Sequence, residues 1–345
     1  MSLSEQESFS QDDQTQDQDW TLGLLGYIQK IAQFLQTTAQ GLFPWLHPLY
    51  CLLVFPLQLV LYGGIRLAAA LKTNLALPVV TRYGSKMLCH FPDSIQACIF
   101  LYGIWEPDIS AFIVSEMAPT ETFIDVGCHV GYHALLACEM VGAEGRVVAI
   151  EASPRTFLKL QENLKLNPKS SNIRALNVAV TETQGLIPLY LGAEGIEGWS
   201  STIPHRSLSE ECVISGEPLS TLLTAEELRT ARMIKIDVEG AEAAALRGMV
   251  PILDQLRDDV LILIELTPLL WPEGDRAAKM THEQVLSPFL ERGFYPYHIH
   301  NNYGPWRFLN PDRVARPQRI HGAIRGHRLT GQIDLVLSKQ DAEYL

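Results

Sequence analysis

The sequence predicts an α/β fold: a mostly parallel sheet of seven strands with helices on both faces, preceded by an apolar helical region. Three observations carry this. The apolar run Phe123 to Val126 contains Asp125 and opens into the pair Gly127 and Gly131, spaced G-x-x-x-G. A helical pattern follows, then a second apolar run, Val147 to Ile150, which stops at Glu151. Further apolar runs alternate with helical patterns to the C-terminus, as strands buried on both faces do.

Residues 1–19 are rich in Ser, Gln, Asp and Glu and hold one leucine and one aromatic residue, so a disordered tail is expected. Residues 20–75 form an apolar helical region, either membrane-associated or a packing cap. Pro48 to Ile65 carries no formal charge, but Pro56, Gln58 and Gly63-Gly64 weaken a continuous span. Membrane contact through 43–71 is therefore one of two readings. Arg66, Lys72, Arg82 and Lys86 follow the apolar stretch, which puts the remainder of the chain on the cytoplasmic side. Residues 76–345 are expected to form one domain, with an approach region at 76–120 that ends in a helix from Asp108 to Met117.

After Glu151, the turn Ala152-Ser153-Pro154 starts a helix over Arg155 to Leu166, in which Leu158, Leu160, Leu164 and Leu166 are apolar positions. The third strand is placed at Asn172 to Val180. Residues 181–231 interrupt the alternation with a strand at Leu186 to Leu191, a Gly/Ser/Trp stretch and a polar helix at Ala225 to Ala231, an insertion of the kind that carries substrate contacts. Strands four to seven follow at Met233–Asp237, Val260–Leu266, Gly293–Ile299 and Gln332–Leu337. Helices at Glu242 to Gly248 and His282 to Arg292 link them.

The chain has 345 residues and a formal net charge of -12, without a basic stripe interleaved with aromatics, so nucleic acid is not an expected partner. Its six cysteines are scattered, with no C-x-x-C pair and no Cys/His array at zinc spacing, which suits reduced structural thiols. No secretory signal pattern is visible, and a cytosol-facing domain is expected.

Glycine at a strand tip lets the chain turn and a ligand approach the main chain. Glu151, at the next strand end, borders the same crevice, where a carboxylate can accept hydrogen bonds from both ribose hydroxyls. A dinucleotide would need the tighter G-x-G-x-x-G for its pyrophosphate, and Cys128-His129 stands where the middle glycine should be. The wider loop after Asp125 suits a nucleoside cofactor with an amino-acid end, S-adenosylmethionine.

These residues resemble the FkbM-type methyltransferases of the class I S-adenosylmethionine-dependent group. The resemblance runs through Gly103 to Pro107, Phe123 to His133, Gly145 to Glu151 with Pro154, Asn163 and Asn167, and Ile234-Lys235-Ile236-Asp237-Val238-Glu239-Gly240-Ala241-Glu242 with Gly248. It implies a Rossmann-like sheet with a reversed last strand and methyl transfer to a hydroxyl of a sugar, a glycolipid or a secondary metabolite. Where the family commonly has Ala-Asn, this chain has Cys128-His129, and an imidazole can replace the amide as a donor.

The expected cofactor site is Asp125, Gly127, His129, Gly131 and Glu151, with Asp125 orienting the methionine ammonium. Methyl transfer to oxygen also needs a base near the fourth strand end. Asp237 is the first candidate and Glu239 the second, with His298 and His300 as reserves, while Glu242 reads as a helix-start carboxylate. Trp199-Ser200-Ser201 is a candidate contact for cofactor or acceptor. A magnesium-assisted variant would use Asp237, Glu239 and Glu265, but their spacing is not diagnostic and no metal is assigned. A nicotinamide-dependent oxidoreductase and a catalytically silent cofactor-binding assembly partner are the alternatives.

Overall fold

The computed structural model describes residues 63, 75–191, 201–203, 209–268, 282–309, 311, 314, 316–324 and 332–345. The expected tail at 1–19 and, apart from Gly63 and Leu75, the apolar region at 20–75 with its stretch 43–71 lie outside the described residues. Among the described residues no single helix is long and apolar enough to cross a membrane.

The chain divides into two compact units, one ending with Lys86–Ile104 and the other formed by Tyr83–Ser85 and Trp105–Leu345. In the first, β1 (Leu75–Val80) and β2 (Lys86–Phe91) pair antiparallel, and α1 (Ser94–Tyr102) packs on both. The Asp93 side chain caps α1 by accepting from the Gln96 N–H at 2.8 Å, and Gly103 ends it in a left-handed conformation. The approach region thus contains a hairpin and a helix that its irregular apolar pattern does not announce.

The second unit is built on one large sheet. Its strands are β3 (Thr122–Val126), β4 (Arg146–Ile150), β5 (Ile173–Leu176), β9 (Ala231–Ile236), β10 (Leu261–Leu266), β11 (Tyr295–His298), β12 (Gln318–Arg319) and β13 (Ile333–Ser338). They lie in the order β12-β11-β13-β10-β9-β3-β4-β5. β5, β4, β3, β9 and β10 are parallel, and β13 runs antiparallel between β10 and β11. This is the anticipated sheet with its reversed last strand, extended by the short edge strand β12.

β6 (Ala179–Val180), β7 (Gly185–Leu191) and β8 (Ser209–Glu217) form a separate three-stranded sheet. The run expected as one third strand is therefore two: it leaves the large sheet after Leu176 and joins the small one at Ala179. β8 has no counterpart in the expected elements, because its Ser, Glu and Gly residues mask the pattern.

Helices cover both faces: α2 (Pro107–Glu116), α3 (Tyr132–Val141), α4 (Pro154–Lys165), α5 (Leu219–Leu222), α6 (Ala225–Thr230), α7 (Glu242–Met249), α8 (His282–Leu290) and α9 (Pro305–Leu309). Helix α3 is buried almost all round, as a helix pressed between other layers must be. Helix α4 is amphipathic, starting at Ser153 and Pro154; Leu160 is fully buried, whereas Leu158 is 60% exposed and not part of the core. One apolar core runs through Ile124, Val148, Ile234, Ile262, Leu246, Phe289 and Leu335.

Helix α7 approaches the start of the small sheet so closely that a Cβ on Gly248 would lie 2.1 Å from the Thr181 carbonyl oxygen. A main-chain atom there cannot swing aside. Gly248→Ala is expected to lower unfolding stability by roughly 1–3 kcal/mol, read as a lower urea midpoint with an unchanged slope.

Candidate active site

The sheet order reverses between β3 and β9, and the carboxyl ends of these two strands form the crevice in which open α/β sheets bind ligands. Asp125 lies opposite Lys235, and Val126 opposite Ile236. Beyond β3 the chain turns at Gly127, φ +81°, with the N–H groups of Gly127 and Cys128 both donating to the Ile150 carbonyl at 2.9 and 3.0 Å. Gly131, φ +88°, then opens α3. A Cβ on Gly127 would sit 1.7 Å from the Asp237 carbonyl oxygen, and one on Gly131 2.4 Å from the Leu160 side chain. The room these glycines leave is thus already taken by the protein: Gly127 lets the ends of β3 and β9 touch.

The loop between the glycines is fastened from two sides. Glu151, buried at the end of β4, accepts the His129 N–H at 2.9 Å and the Ser153 N–H at 2.8 Å. From α4, Asn163 donates to the Val130 carbonyl at 2.9 Å. His129 adopts φ +52°, so its main chain, held by Glu151, shapes the loop. Burial pushes the Glu151 carboxyl up to about 7 despite these two donors. Two of its roughly four acceptor positions are used by these N–H groups.

Asp125 is 1% exposed, and neither of its oxygens has a close hydrogen-bond partner among the described residues, although the Ala134 N–H lowers its pKa. Burial raises its carboxyl to about 7, with Asp237 and Glu106 adding to the rise and Lys235 opposing it. A buried, partnerless carboxylate is a site for a ligand cation or donor.

Lys235 is the penultimate residue of β9, between the buried Ile234 and Ile236, and is 5% exposed. Its ammonium binds Asp237 Oδ2 at 2.7 Å. Burial alone would lower its pKa, but Asp237, Glu106 and Asp125 outweigh burial and hold it above the ordinary lysine value. Asp237 keeps about a quarter of its side chain exposed (24%).

Glu106, in a left-handed conformation at φ +43°, is 3% exposed, and burial raises its pKa. Its Oε1 accepts the Tyr303 hydroxyl at 2.5 Å and the Asn301 amide at 2.9 Å. Next to it, Asp108 forms a buried ion pair with Arg307 at 2.9 Å and accepts the Asn302 N–H. His133 lies 3.9 Å from Glu106 Oε2, yet burial and Lys235 keep it well below the usual histidine range, so it is neutral.

Glu239, φ +45°, is raised by burial and by Asp237, and its carbonyl accepts the Ser201 hydroxyl at 2.7 Å. Ser201 thereby ties the insertion to the β9 end, while Trp199 and Ser200 lie outside the described residues. Glu242 turns inward to accept the Gly240 N–H and the Thr267 hydroxyl, consistent with a helix-start carboxylate. His298 and His300 are exposed, ring against ring at 6.4 Å. Glu265 and Asp334 stand opposite one another across β10 and β13, and burial raises both. Among the described residues no three His, Cys, Asp or Glu side chains are grouped to hold a metal ion, and Asp237, Glu239 and Glu265 form no such set.

The structure therefore brings Asp125, Gly127, His129, Gly131, Glu151, Asp237 and Glu239 to one end of the sheet. It adds Lys235, Glu106, Asn301 and Tyr303, to which sequence reasoning assigned no role. Lys235 carried a legible signal, a charge between two isoleucines of a buried strand. Glu106 and Tyr303 are separated by almost two hundred residues and meet only in the fold.

Residues 125–296 match the family described as the methyltransferase FkbM domain. The chain is similar to the hexuronic acid methyltransferase AglP of Haloferax volcanii, 26% identical over 144 residues that make up 42% of this chain and 56% of that protein. A 53-residue stretch, 15% of this chain and 14% of the other, is 37% identical to the arsenite methyltransferase of Halobacterium salinarum. Among solved structures, the methyltransferase FkbM from Methylobacillus flagellatus KT is similar at 15% identity and a TM-score of 0.37, over 70% of this chain and 53% of that one. The chain thus spans about half the length of AglP and of the FkbM structure.

Because the folded-state pKa of Asp125 lies above the ordinary aspartate value of 3.8, the native protein binds its proton more tightly than the unfolded chain does. Its contribution is favourable in acid and is lost as pH rises from about 4 to about 7. Asp125→Asn is expected to stabilise the ligand-free protein by roughly 1–3 kcal/mol at pH 8. Urea titrations across this window should show a flatter pH dependence than the parent; an unchanged slope would mean that Asp125 is already compensated.

Proposed function

This chain belongs to the FkbM methyltransferase family, and on that premise we propose that it is an S-adenosylmethionine-dependent O-methyltransferase acting on a carbohydrate hydroxyl. The observation that carries the reading is Asp125, a buried carboxylate without a donor at the sheet's switch point. It fits the ammonium of an amino-acid cofactor end, and Glu151 has acceptor positions left for ribose hydroxyls. Gly127, His129 and Gly131 shape the loop between these acids. The carbohydrate acceptor is suggested by the hexuronic acid methyltransferase relative.

The cofactor, when bound, supplies an electrophilic methyl group on a sulfonium. The chain's own residues must hold the acceptor hydroxyl in line and take its proton. Asp237 is suited to that task, because Lys235 fixes one of its oxygens while the side chain remains partly open to the crevice. Lys235 positions Asp237 through their ion pair at 2.7 Å. Glu239 lies within the same charged group and is the second candidate for proton acceptance.

Calorimetry with S-adenosylhomocysteine tests the cofactor assignment; affinity for NAD in its place would refute it. With methyl-labelled cofactor and an extract-derived acceptor, Asp237→Asn is expected to lower kcat by about 10²–10⁴-fold while binding of S-adenosylhomocysteine is unchanged. An unaltered kcat would remove Asp237 as the base.

A further inference from the structure

One peptide group beyond the end of β9 is held from two sides, and the proposed chemistry gives its holders no task. The group joins Glu239 to Gly240. Its carbonyl accepts the Ser201 hydroxyl at 2.7 Å, and its N–H donates to Glu242 Oε1 at 2.6 Å. Glu242 opens α7 and is steadied in turn by the Thr267 hydroxyl, which donates to the same oxygen at 2.8 Å. Ser201 comes from the insertion, where its main chain pairs with Tyr190 of β7 through two hydrogen bonds of 2.8 and 2.9 Å. Ser201, Glu242 and Thr267 are all buried.

The local sequence calls for such a clamp. Glu239, at φ +45°, and Gly240, at φ +93°, both lie in the left-handed region, which only the glycine occupies without cost. A strained conformation of this kind persists where the surroundings over-determine it. Rotating the peptide would change ψ of Glu239 and φ of Gly240 together, and a glycine offers little resistance to that change. The two bonds, to the insertion and to Glu242, therefore set its orientation. Upstream, the Asp237 N–H is tied to the Val126 carbonyl at 2.9 Å. The segment from Asp237 to Gly240 is thus fixed at its first residue by β3 and at its last peptide by Ser201 and Glu242. Between these points stands the Glu239 side chain, close enough to Asp237 for that acid to raise its pKa.

Resting on the methyltransferase reading, we propose that Ser201 is a positioning residue: through the Glu239–Gly240 peptide it holds Glu239 and Asp237 in the geometry that takes the acceptor's proton, with Glu242 and Thr267 as its counterpart on the other side. The insertion is thereby a structural part of the reacting end of the sheet.

Two measurements on the full chain test this. Amide hydrogen exchange resolved at Gly240 needs no acceptor. Ser201→Ala is expected to speed exchange there about three- to tenfold, the protection that one hydrogen bond provides. Ser201→Thr keeps the hydroxyl and should leave exchange near the parent's. The second measurement is turnover of methyl-labelled S-adenosylmethionine with the extract-derived acceptor. Ser201→Ala should lower kcat about tenfold or more, since small displacements of reacting groups are costly, and Ser201→Thr should restore it. Affinity for S-adenosylhomocysteine should stay unchanged in both. Thr267→Val loosens the clamp from its other side and should give the same pair of effects, which decides the matter should Ser201→Ala not fold. Faster exchange confined to β7 and Ser201, or a raised KM at unchanged kcat, would reduce Ser201 to a tie of the insertion and overturn the proposal. Failure of the parent to bind S-adenosylhomocysteine would overturn the methyltransferase reading and the catalytic part of this inference, while exchange at Gly240 would still decide the clamp.

Discussion

The ammonium of Lys235 is the constraint around which the rest of the site is arranged. An uncompensated charge inside a protein costs several kcal/mol even after relaxation, roughly what two or three fully buried aliphatic side chains return. β9 buries Met233, Ile234 and Ile236 around this ammonium, so the lysine is tolerable only if carboxylates come to it. Asp125 arrives by register, being the residue opposite Lys235 on β3. Asp237 arrives two residues along the same strand, and Glu106 from the start of α2. One cation shared among three acids leaves the acids under-compensated, which is why burial raises Glu106 and Asp125 although Lys235 is near. The site therefore crowds several acids round one cation before any ligand enters.

Backbone strain gathers at the same place. Glu106, His129 and Glu239 all have φ between +43° and +52°, a conformation that costs a side-chain-bearing residue about 1–3 kcal/mol. Each is held by neighbours: Glu106 by Ser110 of α2, whose N–H donates to its carbonyl, His129 by Glu151, and Glu239 by the Ser201 hydroxyl on its carbonyl. The insertion thus acts directly on the β9 end, since Ser201 belongs to it. A change at Ser201 would reach the reacting end of the sheet through this hydroxyl.

The large sheet was legible because its strands are buried on both faces and read as unbroken apolar runs, from Phe123 to Val126 through Ile333 to Leu337. The small sheet was not: β8 sets Cys212-Val213-Ile214 between Ser-Glu-Glu and Ser-Gly-Glu, so its residue types do not alternate and period-based reading loses it. Likewise the break between Leu176 and Ala179 is invisible in an apolar run that serves two sheets. In the site, motif residues at strand ends could be placed, since a strand end fixes where a side chain goes. Glu106, Asn301 and Tyr303 could not, because their meeting depends on tertiary closure. The glycines taught a different lesson: Gly127 admits the Asp237 carbonyl, so a residue type chosen for ligand access can equally be chosen for strand-to-strand contact.

That contact couples the two halves of the proposed chemistry. The Asp237 N–H donates to the Val126 carbonyl at 2.9 Å while its own carbonyl fills the space beside Gly127, so the main chain of the proposed base is locked to the proposed cofactor loop from both directions. Its side chain is then fixed by Lys235, which lies opposite Asp125, the proposed anchor of the cofactor's amino end. Cofactor anchor, charge balance and proton acceptor thus occupy adjacent positions on two paired strands. A ligand ammonium reaching Asp125 would add a second cation to a group that has one, easing the repulsion on Asp237 and Glu106 as the site fills.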